Sequence, residues 1–161
     1  MLAIKGFLQR LTKISADEMF LFVMKHEMVQ EEVFNLIREQ LGRCEDGRGD
    51  SLGDYSTRSI VDFGKPTSSN PFLSGGGNDI RLYEFGDYYN SFSPAMLTAK
   101  IFAWRSDTLK EGLDGSITDL NDIYGNSIDD LQKESIVKLS NFILFFAQKF
   151  MRDYVERAKK G

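Results

Sequence analysis

One cysteine, one histidine, one tryptophan and three prolines are all that 161 residues provide of four structurally decisive types. Cys44 has no second cysteine to pair with, so no internal disulfide staples the chain and no cysteine cluster can hold zinc; synthesis in a reducing cytosol is the expectation. His26-Glu27 opens like the His-Glu-x-x-His zinc-protease helix, but the second imidazole position is Gln30, and a single imidazole cannot build that site. Long apolar runs are missing too. Met19–Met24 and Phe142–Ala147 are the longest, at six residues each, against about 20 for a membrane-spanning helix. No membrane partner is expected, and "MLAIKGFLQR" lacks the apolar length and cleavage pattern of a secretory signal.

An overall basic balance is also lacking. The net charge of −4 and pI near 5.1 argue against a dedicated nucleic-acid binder. The charge is unevenly spread: from Leu131 onward seven Lys or Arg face three acids, leaving −8 on residues 1–130. Such asymmetry either complements the dipole of a terminal helix or steers subunits together.

What is present is enough apolar material for one domain over 1–161, with 42 % hydrophobic and 12 % aromatic residues. Residues 1–14 place Leu2, Ile4, Phe7, Leu8, Leu11 and Ile14 among Lys5, Gln9, Arg10 and Lys13, a short helix or a gripping arm. Ser15 and Glu18 form a capping-box pair, and apolar residues recur at helical spacing through Phe20, Met24, Met28, Phe34, Ile37 and Leu41. One long helix over 15–42, ended by Gly42, is predicted. Residues 127–158 predict the terminal helix, because Ile136, Leu139, Ile143, Phe146, Phe150 and Tyr154 make one apolar stripe.

Between these helices, 44–81 reads as an extended irregular loop rich in turn formers, anchored by Tyr55, Ile60, Val61, Phe63, Phe72 and Leu73. The acidic stretch Asp46–Asp54 lacks the ligand spacing and closing Glu of a calcium loop, and Gly75-Gly76-Gly77 lacks the Gly-Lys-Ser/Thr of a phosphate loop. No nucleophile, base and orienting group share a pattern, so neither enzyme activity nor a cofactor or metal is expected. Residues 95–106 alternate as a strand, bent or half of a hairpin, and 109–120 offers turn glycines for a link or hairpin.

The segment "LYEFGDYYNSF" places Leu82, Phe85, Tyr89 and Phe92 at helical spacing on one face, with Gly86 allowing close backbone approach and Asp87 and Asn90 facing outward. It reads as a helical turn forming a structural corner.

The order of features also matters: a long helix, "DGRGDSLGDYS", "RLYEFGDYYNSF", a β-rich stretch, then "IYGNSIDDLQKESIVKLSNFILFF" entering the last helix. It resembles the tail-completion and virion-morphogenesis proteins of tailed bacteriophages, neck proteins that join head to tail. Asp50, Leu52, Gly53, Tyr55, Ser56 and Thr57 match the family's loop after the first helix. Leu82, Gly86, Tyr88 or Tyr89, Ser91 and Phe92 match its next segment, and Tyr124-Gly125 its step before the final helix.

The expected fold is α+β: two long helices packed on a small antiparallel β-sheet, with the irregular loop between helix and sheet. The resemblance implies a homo-oligomeric neck or tail-completion ring in the virion, contacting itself and the portal, other neck or tail proteins, with genomic DNA passing close by without specific contact. Asp50, Leu52, Tyr55, Phe63, Phe72, Leu73, Tyr88 and Trp104 are the candidate partner or subunit contacts. The corner comprises Leu82, Phe85, Gly86, Tyr89 and Phe92. The competing expectation is a small cytosolic adaptor or regulatory binding module of the same fold class.

Overall fold

A computed structural model describes residues 15–57, 61, 80, 82, 87–98, 100–111 and 115–160. The expected arm at 1–14, and Phe63, Phe72, Leu73, Phe85 and Gly86, lie outside the described residues. The fold is α+β.

The first helix, α1 (Ala16–Met24), starts where the capping box predicts. Ser15 Oγ accepts from Glu18 N at 3.0 Å and Glu18 Oε2 accepts from Ser15 N at 3.4 Å. Both atoms would otherwise leave free donors at the helix start, so Ser15→Ala is expected to cost about 1 kcal/mol, read as a fall of about 2–4 °C in Tm.

The predicted single helix over 15–42 is two helices. α1 ends at Met24, and α2 (Glu27–Gly42) restarts after a Lys25-His26 turn. Neither residue is a helix breaker; packing makes the break. The His26 ring lies on Phe146 with centroids 4.4 Å apart, and Gln30 Nε2 donates to the Met24 carbonyl at 2.7 Å, satisfying an acceptor that the interruption frees.

Downstream, α3 (Asp87–Asn90) buries Tyr88 and Tyr89 and leaves Asp87 and Asn90 exposed. It feeds the strands β1 (Ser93–Leu97) and β2 (Phe102–Arg105), an antiparallel hairpin in which Leu97 faces Phe102 and Ser93 faces Arg105. The stretch read as one strand over 95–106 is thus turned back on itself, with Thr98 Oγ1 accepting from Ile101 N at 3.1 Å across the turn. A register shift between Pro94 and Met96 accommodates the proline.

A second hairpin pairs β3 (Leu109–Glu111) with β4 (Ile117–Asp119), leading into α4 (Leu120–Tyr124). The expected single small sheet is therefore two sheets of two strands each. The last helix, α5 (Lys133–Lys160), begins six residues later than the predicted 127, because turns through Ile128 and Gln132 hold that segment against α2.

Two apolar clusters meet on α2. Val33, Phe34, Ile37 and Leu41 pack with Leu52, Tyr88, Tyr89, Phe92, Leu120 and Ile128, against which Phe102 and Trp104 of β2 lie. One turn earlier, Val29 joins Val23, Met24 and Phe146, with Phe142 and Ile143 of α5 alongside. Burying each such large side chain stabilises by about 1.5–3 kcal/mol, so α2 is the beam joining the hairpin region to the α1/α5 pair.

Candidate functional site

Beyond α2 the backbone must turn sharply. Cys44 sits in the left-handed region with φ 64°, its N–H donating to Leu41 O at 3.0 Å, while Glu45 N donates to Gln40 O at 3.1 Å. These two bonds form a Schellman ending, a position that glycine usually occupies. Gly42 is the last helical residue rather than the stop signal. The Cys44 thiol is buried 3.3 Å from the Gly53 carbonyl.

The chain then doubles back through a Glu45–Ser51 bridge around the buried Asp46 carboxylate. Asp46 Oδ1 accepts from Arg48 N and Asp50 N, both at 2.9 Å, and Oδ2 accepts from Ser127 Oγ at 2.7 Å and Arg48 Nε at 3.2 Å. Gly47 N donates to the Ser127 carbonyl at 2.8 Å. Two buried amides complete the junction. Gln40 donates to Asp130 O at 2.8 Å and accepts from Gln132 N at 2.9 Å; Gln132 in turn donates to Asp46 O at 2.9 Å and Glu45 Oε2 at 3.0 Å. A polar clasp thus ties residues 40–50 to 127–132, and Arg43 closes its edge on Glu45 at 3.1 Å.

Burial pushes the Asp46 carboxyl up, but the hydrogen bonds from Ser127, the Asp50 and Arg48 amides and the Arg48 side chain outweigh it and hold it below the ordinary carboxylate range. A carboxyl depressed in the folded state stabilises fully above its unfolded value, about 3.9, and loses that contribution as pH falls through the folded value. Asp130 shifts the other way, raised by burial and by the Asp129 and Asp46 charges, so it disfavours the fold once ionised. Asp46→Asn separates the two: the variant is expected to lose less stability than the wild type between pH 5 and pH 2 (about the range of), as checked by thermal melts across pH.

The sequence-predicted contacts fall into three groups. Asp50 is exposed and 3.5 Å from Arg48, and Tyr55 is half-buried. Leu52 and Tyr88, expected at a partner interface, are instead core residues, 9 % and 5 % exposed; the doubling-back loop turns Leu52 inward, and α3 lays Tyr88 against Phe92 with centroids 5.4 Å apart. Trp104 is half-buried, its Nε1 donating to Asp129 O at 3.0 Å, with Ser106 Oγ on Asp129 Oδ2 at 2.6 Å. The corner residues Leu82, Tyr89 and Phe92 are all buried in the α2 cluster, and Arg38 of α2 holds the Tyr89 carbonyl at 2.8 Å.

The surface with the most apolar exposure lies elsewhere. On α5, Val137, Leu144, Phe145 and Met151 are 57, 56, 60 and 38 % exposed, on the side opposite Phe146. Sequence reasoning followed the core stripe of α5 and passed over this second one; the seven-residue recurrence of Val137, Leu144 and Met151 was the signal. Leu144, Ala147, Gln148, Met151 and Arg152 line a hollow of about 420 Å³ there. Glu27, Met28, Gln30, Glu31, Glu32, Phe34, Asn35 and Phe142 line another, of about 660 Å³, on the outer side of α2.

Among the described residues, no group of three or more His, Cys, Asp or Glu is placed to hold a metal ion, and no helix is long and apolar enough to cross a membrane. Asp46, the most buried acid of the clasp, already has its oxygens committed to protein donors. The arrangement serves rigidity and surface presentation. Comparison with protein-family models, curated proteins and solved structures finds no match.

Proposed function

We propose that the chain is a non-enzymatic structural protein of a tailed-phage virion, forming a homo-oligomeric neck or tail-completion ring between portal and tail. The observation that carries this reading is the uncovered apolar face of α5. Contiguous apolar surface left in water is costly, and on a folded chain it marks a place where another protein sits. Its partners in this reading are further copies of the chain and the portal, neck or tail proteins at either end. The clasp supports the reading by holding the base of the 44–57 loop rigid against α2 and the 127–132 turn, so that a loop reaching toward a neighbour starts from a fixed point. Ordering such a loop in advance lowers the entropic cost of docking. The acidic balance of residues 1–130 would repel a passing DNA duplex rather than trap it.

Light scattering tests the proposal, on the protein alone and mixed with portal and tail proteins encoded by the same genome. A ring-sized species, alone or on mixing, is the expected result. A species of 18.3 kDa under every condition would overturn the proposal in favour of the adaptor reading.

A further inference from the structure

We infer that the outer face of α5 docks on the acidic outer face of α2 in a second copy of this chain, head to tail. The inference rests on the ring reading and deepens it by naming both surfaces. Leu144, Ala147, Gln148 and Met151 stand at i, i+3, i+4 and i+7 around the hollow on α5. Four residues in that diamond form the hole that receives a knob from a facing helix in coiled-coil packing. Ala147 keeps the hole open, since a larger side chain would fill it. A helical partner is therefore the shape that fits.

Charge selects which helix. The described face carries Lys149 and Arg152, both exposed, within a C-terminal segment of net +4. Pairing α5 with α5 of another copy would bring two such segments together, and like charges oppose it. The outer face of α2 has the opposite sign. Met28, 59 % exposed, stands beside Glu27, Glu31 and Glu32 around the second hollow. Glu31 is engaged by Arg38, which leaves Glu27 and Glu32 to meet Lys149 and Arg152 while Met28 enters the hole as the knob. The two surfaces are different patches of one chain, so the contact is heterologous and each docking leaves a free face at both ends. Such contacts propagate until a ring closes.

Sedimentation of the full chain over a concentration series tests this with paired charge reversals. Lys149→Glu with Arg152→Glu makes both faces acidic, and Glu27→Lys with Glu32→Lys makes both basic. Each double variant alone is expected to associate at least about tenfold more weakly than wild type (about 1.4 kcal/mol), with far-UV circular dichroism unchanged. Their equimolar mixture is expected to recover wild-type association, because both kinds of junction in an alternating array are then of opposite charge. Association of each double variant at wild-type strength overturns the inference while leaving a ring built through other faces. So does a mixture that stays dissociated. A wild type that is monomeric throughout and associates only with portal or tail proteins overturns this docking mode and the homo-oligomeric part of the ring reading, but leaves the virion role.

Discussion

Gln40→Leu is expected to lower the stability of the protein by about 2–5 kcal/mol, because two buried backbone groups lose their partners at once, at about 1–3 kcal/mol each. Gln40 is fully buried. Its amide donates to Asp130 O and accepts from Gln132 N, and leucine, close to it in volume, fills the space without answering either. Gln40→Glu sharpens the test. A carboxylate still accepts from Gln132 N but sets an oxygen against the Asp130 carbonyl, so it is expected to do no better than leucine despite its shape. Urea denaturation is the measurement: the midpoint should fall with the slope unchanged. A leucine variant with the wild-type midpoint would show that the clasp holds position without contributing stability.

Gly47→Ala is expected to cost about 1–3 kcal/mol or more, the range for forcing atoms into a filled site, and to lower Tm by about 2–4 °C per kcal/mol. A Cβ at Gly47 would overlap the Asp130 side chain and lie 2.7 Å from its carbonyl oxygen and 2.8 Å from its carbonyl carbon. Backbone atoms cannot rotate away as a side-chain tip can. The resulting shift also strains the Gly47 N to Ser127 O bond. Two companions separate sterics from backbone conformation. Gly49 has φ 86° and nothing within 4 Å of a built Cβ, so Gly49→Ala carries only the left-handed cost of about 1–2 kcal/mol. Asp130→Gly in the Gly47→Ala background removes the Cβ overlap and leaves the carbonyl contacts, so partial recovery of Tm is expected. No loss in the single variant would mean the clasp opens to admit a methyl group.

Local signals in the sequence translated well into structure, and non-local ones did not. Ser15 and Glu18 start α1 where they should because the capping box involves atoms three residues apart and needs nothing else. The apolar stripe from Ile136 to Tyr154 lies within α5 because a helical period is visible in any window of that length. The break at Lys25-His26 was illegible: the apolar pattern continues across it, and its cause is the ring of Phe146, 120 positions away in sequence. The clasp was hidden for the same reason. Gln40, Asp46, Ser127 and Gln132 look like ordinary surface residues until folding sets them against one another. Leu52 and Tyr88 were assigned to the surface because their neighbours are polar, whereas their own side chains turn into the α2 cluster.

The hydrogen bond from Gln40 to Asp130 joins positions 90 apart. In polymer terms the clasp closes a ring of chain larger than half the molecule, and the entropy of closing such a loop grows only with the logarithm of its length. Doubling a loop adds about 0.6 kcal/mol, less than one clasp hydrogen bond to a buried group returns. Because the ends of residues 47–127 are pinned by the clasp, the length of the intervening chain is nearly decoupled from the stability of its frame. Evolution can therefore lengthen or shorten what lies between without redesigning the junction that carries it.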